Sequence, residues 1–175
     1  MARAVNSSLL WVITRNIVSW IEAEGNEFWK YLEFANYHGF MKAKLTPAWM
    51  LRIIRFYGIE EGSVQVEIVR VESDLSDQVH RHHKSHACVV VLGTEHRVAD
   101  PKNAFRYLDG TWSPVSANQH VNIPPGRVHG FTVRHGGSMY FLSVQSPPIE
   151  GEDGHDDYEL VTDRRNDRRE EVPGV

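Results

Sequence analysis

The chain of 175 residues has one cysteine, Cys88. No disulfide can form within it, which fits a reducing compartment. It also lacks a dominant charge. Its 19 Lys and Arg stand against 23 Asp and Glu, a net charge of −4, and the cations are scattered along the sequence. A nucleic-acid surface is therefore not expected. Apolar runs long enough to span a bilayer are missing too. The run Leu9–Ile13 is short and gives way to Thr14-Arg15-Asn16, with no small-residue cleavage site behind it, so a signal peptide is not expected. With 41% hydrophobic and 24% charged residues, the composition is that of a soluble folded domain. Its expected location is the cytoplasm, with no membrane partner.

Residues 1–60 carry helical signals. Leu9, Leu10, Ile13, Ile17, Trp20 and Ile21 recur at helical spacing, with Asn6, Ser7 or Ser8 as N-cap and Gly25 as stop. Asn26 can cap a second helix through Ala35, ending near Gly39, and Thr46-Pro47 can open a third over Ala48–Tyr57. Four of the five tryptophans lie in this region. Their simplest role is to pack the helices on the rest of the chain; a dimer interface is the alternative.

From Gly62 the apolar period changes to two. Val64, Val66, Ile68 (or Val69) and Val71 alternate with Gln65, Glu67 and Arg70, as in a half-buried strand. Further strands are expected around Val79–Leu92, Glu95–Ala99, Phe105–Leu108, His120–Ile123, Val128–Val133 and Met139–Val144. Turn residues separate them, including Ser73–Asp77, Asp109-Gly110 and Pro124-Pro125-Gly126. Short strands at such intervals predict a sandwich or barrel. The acidic stretch Glu150–Asp157 reads as solvated surface and Asp163–Val175 as a charged tail. The implied division is 1–60 helical extension, 61–149 barrel and 150–175 terminal segment.

What the chain has in abundance is histidine. Four of its ten histidines lie between His80 and His86. In an extended strand, alternate side chains share a face. If the strand runs on, or bends without changing face, His80, His82 and His86 look into one space, and Cys88, Val90 and Leu92 continue that face as an apolar lining. His83 has the opposite parity and should point outward. Neutral imidazole suits zinc, copper, iron and nickel. Three imidazoles on one face call for a further ligand, and His129 is a candidate.

These two segments resemble those of the cupins. The first cupin motif is H-x-H, three or four residues, an acid, six residues and a glycine. Here it reads His80-x-His82, three residues, His86, six residues, Gly93, with histidine in place of the acid. The second, P-x-G-x-x-H, reads Pro124-Pro125-Gly126-Arg127-Val128-His129; Asn118 replaces its leading glycine and Val133 its closing asparagine. The resemblance covers residues 62–149. It implies a mainly β jelly-roll barrel, the double-stranded β-helix, behind an N-terminal helical extension. It also implies one divalent transition metal (iron, manganese, nickel, copper or zinc) on His80, His82, His86 and His129. His120 and Phe131 would join Cys88, Val90 and Leu92 in lining the cavity.

Four neutral ligands would leave a divalent ion its full charge and attract an anionic or chelating molecule. The expected function is therefore a metal-dependent oxygenase-type enzyme acting on a small enolic, phenolic or diketone-like molecule. The alternatives are a non-redox isomerase, lyase or decarboxylase, and a small-ligand sensor. The resemblance further implies a homodimer.

Overall fold

The computed structural model describes residues 4–33, 41–44, 48–60, 62–72, 79–93, 101–134, 137–149 and 157–161. Among the described residues three helices, α1 (Ser7–Glu24), α2 (Asn26–Glu33) and α3 (Ala48–Phe56), accompany ten strands. The strands are β1 (Met41–Lys44), β2 (Gln65–Glu72), β3 (His80–Arg81), β4 (His86–Gly93), β5 (Ala104–Leu108), β6 (Thr111–Pro114), β7 (His120–Ile123), β8 (His129–Val133), β9 (Ser138–Ser146) and β10 (Glu159–Leu160). They form two five-stranded sheets, ordered β1-β2-β9-β4-β7 and β10-β3-β8-β5-β6. Every pairing is antiparallel. The fold is thus mainly β, two facing sheets of the double-stranded β-helix kind with a helix at the N-terminus.

The sequence explains why β4 and β9 are buried on both faces; β2, expected to be half-buried, is too, with Val66 and Ile68 in the core that holds α1 and Val69 and Val71 in the barrel core. In β4, Ala87, Val89 and Val91 join a core that draws on both sheets, with Phe131, Val133, Met139 and Phe141. Cys88, Val90 and Leu92 point the other way, into a second core with Leu10, Ile13, Ile17 and Ile21 of α1. The run Ala87–Leu92 is continuously apolar because neither face meets water. β9 follows the same logic, with Met139 and Phe141 inside and Tyr140, Leu142 and Val144 beneath the helices.

Helix α1 follows its sequence signals. Leu9 N–H donates to Asn6 Oδ1 (2.9 Å), and Gly25 closes the helix at φ 52°. Thr14, on the buried stripe, is satisfied by donating to the Leu10 carbonyl (2.8 Å). Trp20 is 40% exposed, so the apolar stripe is narrower than the sequence pattern.

Three strands are not among those expected: β6, which completes the hairpin that Asp109-Gly110 signals, β1 and β10. β1 pairs with β2 inside a region that reads as wholly helical; four residues are too few for a period of two to stand out. β10 pairs with β3, so the chain beyond residue 149 returns to the second sheet. The turn at Ser73–Asp77, the strand at Glu95–Ala99, the end of the second helix near Gly39, Thr46-Pro47, residues 150–156, the tail from Asp163, His96 and His135 lie outside the described residues. Among the described residues no helix is long and apolar enough to cross a membrane.

Candidate metal centre

His80 lies in β3 and His82 directly after it, so the period of two places both rings on one face. β8 begins at His129, which is paired with His80 across the ladder. The three rings converge. Ring centroids stand 4.8 Å apart for His80–His82, 4.3 Å for His80–His129 and 5.1 Å for His82–His129. One nitrogen of each lies within 4.8 Å of the others. All three residues are buried, at 6%, 4% and 5% exposure.

Hydrogen bonding assigns a tautomer to two of the rings. His82 Nδ1 lies 2.5 Å from the Asp157 carbonyl, and His129 Nδ1 lies 2.9 Å from the Arg127 carbonyl. A carbonyl oxygen only accepts, so each Nδ1 carries the proton and each Nε2 keeps its lone pair. A hydrogen bond of this kind is what orients a metal-ligating imidazole. Burial reinforces it: the removal of water pushes the His129 pKa down to about 4, against a smaller upward pull from the Arg127 carbonyl. Its ring is neutral at physiological pH.

A short terminal strap holds this arrangement. The Asp157 carboxylate accepts from the backbone N–H groups of His83 (2.8 Å), Lys84 (2.9 Å) and Ser85 (2.7 Å). Partial burial raises its pKa, but the three donors outweigh that and hold the carboxyl below its ordinary value. Tyr158 stacks on His80 at 4.5 Å and 26°, and its ring lies 5.9 Å from that of His82. Glu159 bridges Arg81 (2.7 Å) and His83 (2.6 Å) on the outer surface, where His83 points as its parity requires. Sequence reasoning missed Asp157, Tyr158 and Glu159. Their only signal was a brief alternation after an acidic stretch.

The structure does not bring His86 to the triad. His86 Nε2 lies 2.5 Å from Asn122 Oδ1. Asn122 is cross-strand neighbour to Cys88, and both belong to the outer face. Cys88, Val90 and Leu92 likewise do not line the barrel interior; they pack beneath α1. His120, opposite Val90, meets Trp11 of α1 edge-on at 4.3 Å. The physical reason is one event. Between His82 and Ser85 the chain leaves the second sheet for the first, and the turn clamped by Asp157 resets the parity. Ala87, Val89 and Val91 therefore look inward, and the inward position nearest the triad in β4 is Ala87, which has no ligand atom. Only Phe131 of the expected lining lies inside, against Phe141 at 4.6 Å.

Three buried imidazoles whose ligand nitrogens lie within 4.8 Å of one another, two of them with Nδ1 turned to a backbone carbonyl, fit a divalent transition metal. His80, His82 and His129 would hold it as three neutral ligands, leaving coordination positions for another molecule. Cys88 is outside this set: burial raises its thiol pKa to about 11, against the Thr14 hydrogen bond that lowers it, so it remains a packed thiol.

No protein-family profile and no curated protein matches the chain. Solved structures do. A double-stranded β-helix protein from Klebsiella pneumoniae is 18% identical, over 60% of this chain and 80% of that one, with a TM-score of 0.46. The nucleoside dehydratase Pac13 of Streptomyces is 19% identical, over 73% and 82%, with a TM-score of 0.46. A cupin 2 conserved barrel domain protein from Rhodopseudomonas palustris is 20% identical, over 73% and 72%, with a TM-score of 0.46. The structures that this chain is similar to are thus cupin and double-stranded β-helix proteins.

Proposed function

We propose that this protein is a metal-dependent enzyme of the oxygenase type. It holds one divalent transition metal on His80, His82 and His129 and acts on a small enolic, phenolic or diketone-like molecule. The observation that carries this reading is the convergence of three buried imidazoles, two of them fixed as Nδ1–H tautomers by backbone carbonyls.

When bound, a metal of this class supplies Lewis-acid activation of substrate oxygen and, where redox-active, an electron route to dioxygen. The chain's residues do the rest. The Asp157 and Arg127 carbonyls orient two rings. Tyr158 covers the His80 ring and narrows the approach of water from that side. Phe131 and Phe141 close the interior beyond the triad with an apolar floor.

A non-redox reading is favoured by one feature. Three neutral ligands leave the ion its full charge, and sites of three histidines plus an open position are also those of Lewis-acid catalysts. An isomerase, lyase or decarboxylase would use that charge without dioxygen. Elemental analysis of anaerobically handled protein, with oxygen uptake measured on candidate enols and catechols, separates them. Iron, manganese, nickel or copper with substrate-dependent uptake supports the oxygenase. Zinc alone with no uptake refutes it, and turnover under strict anaerobiosis favours the second reading. We further propose a homodimer, supported by the exposure of Phe56 (83%) and Trp20 (40%).

A further inference from the structure

The barrel interior changes character along its length. On β2 and β9 the inward pairs run Val71–Met139, Val69–Phe141, Glu67–Ser143 and Gln65–Gln145. On β4 the matching inward residues are Val91, Val89 and Ala87. The first two layers are apolar and belong to the shared core. The next two are polar, yet nearly as buried: Glu67 and Ser143 are 3% exposed, Gln145 4% and Gln65 9%.

The opposite sheet fixes where this polar end lies. Phe131 meets Phe141. Two residues on in each strand, away from the β8–β9 connection, the inward positions are His129 and Ser143. The triad and the polar layers therefore share one end of the barrel, on opposite walls.

Within the polar layers one buried acceptor lacks a donor among the described residues. Gln65 Nε2 donates to Glu67 Oε1 (2.9 Å), and Ile149 N–H donates to Gln65 Oε1 (2.7 Å). Gln145 Nε2 donates to Ser143 Oγ (2.7 Å), while Gln145 Oε1 is buried with no partner among the described residues. Turning that amide over would strand its NH2 group instead. Buried carboxylates and buried amide oxygens normally have full sets of donors. Here a carboxylate and an orphan acceptor stand as diagonal neighbours on adjacent strands, and Ala87, the smallest of the inward side chains of β4, pairs with Gln145.

We propose that Glu67 and Gln145 form an acceptor pair that binds an N–H or O–H donor group, a protonated amine best of all, at the end of the substrate remote from its metal-chelating oxygens. The orientation of that substrate rests on the function proposed above. The pair would select molecules that chelate at one end and donate hydrogen bonds at the other.

The test uses zinc-loaded and chelator-stripped full-length protein. Calorimetry compares 4-(aminoalkyl)catechols carrying one to three methylenes with 4-alkylcatechols of equal length. In the zinc-loaded protein the best aminated compound should bind about tenfold or more tighter than its alkyl counterpart, the scale of one charge-assisted hydrogen bond. Glu67→Gln should erase that preference while alkylcatechol affinity and metal content stay unchanged. Gln145→Met should reduce the preference and raise Tm, since it removes an unpaired buried oxygen. Equal binding of the two compound types, no binding of either, or a preference that survives Glu67→Gln overturns the proposal. If the preference and its loss in Glu67→Gln are the same with and without zinc, the acceptor pair stands and the metal reading falls.

Discussion

His82 and His129 each turn Nδ1 to a backbone carbonyl, which directs Nε2 as the candidate ligand atom. That orientation is what the proposed metal site requires of them. Replacing either by alanine should lower metal affinity by at least about a hundredfold, because two rings cannot hold the ion as three do. His86→Ala should leave metal content unchanged, since that ring bonds Asn122 on the other face of its sheet. Elemental analysis of the three purified variants checks both statements. His129 also predicts an acid limit. Its folded pKa of about 4 lies below the unfolded value of 6.5. Between those values the unfolded chain binds a proton that the folded chain does not, so stability falls as pH falls through that window and is complete above it. The loss in metal-free protein should reach on the order of 3 kcal/mol by pH 4. Urea titrations at pH 7, 5.5 and 4.5 would show it, and His129→Gln should flatten the slope.

At the scale of elements, the terminal strap positions the triad. Asp157→Ala removes three charge-assisted acceptor contacts to the turn at His83–Ser85. It should cost roughly 2 kcal/mol and weaken metal binding about tenfold or more through the loosened His82 ring. Denaturant melts and metal titration of that variant test the two effects separately. The elements also show what could be read beforehand. His80 and His82 were legible as a pair because a period of two holds even in a two-residue strand. His129 was legible from the proline-glycine turn before it. The side on which β4 presents Cys88, Val90 and Leu92 was not legible. Strict alternation carries no information where both faces are buried, and the sheet change at His82–Ser85 depends on Asp157, more than 70 residues away in sequence. Helix α1 was legible from its caps, but its target, the outer face of β4 and β9, was not.

For the whole molecule, two cores meet at one sheet. The inner core closes the barrel, and the outer core joins α1 to β4 and β9 through Ile13, Ile17, Val90 and Leu142. The outer face and the apolar inner layers of that sheet are therefore structural, and the candidate site lies at the polar end of the interior, between Glu67 and Gln145 on one wall and the triad on the other. Ile17→Ala, at full burial, should destabilise the protein by about 2–5 kcal/mol without altering metal stoichiometry. A thermal melt and a metal assay on the same sample decide this. The central claim is most directly tested by anomalous diffraction from crystals grown with the metal that elemental analysis identifies. The account predicts one peak at bonding distance from His80, His82 and His129, with His86 remote from it. A peak ligated by His86, or none at the triad in metal-replete crystals, would contradict it.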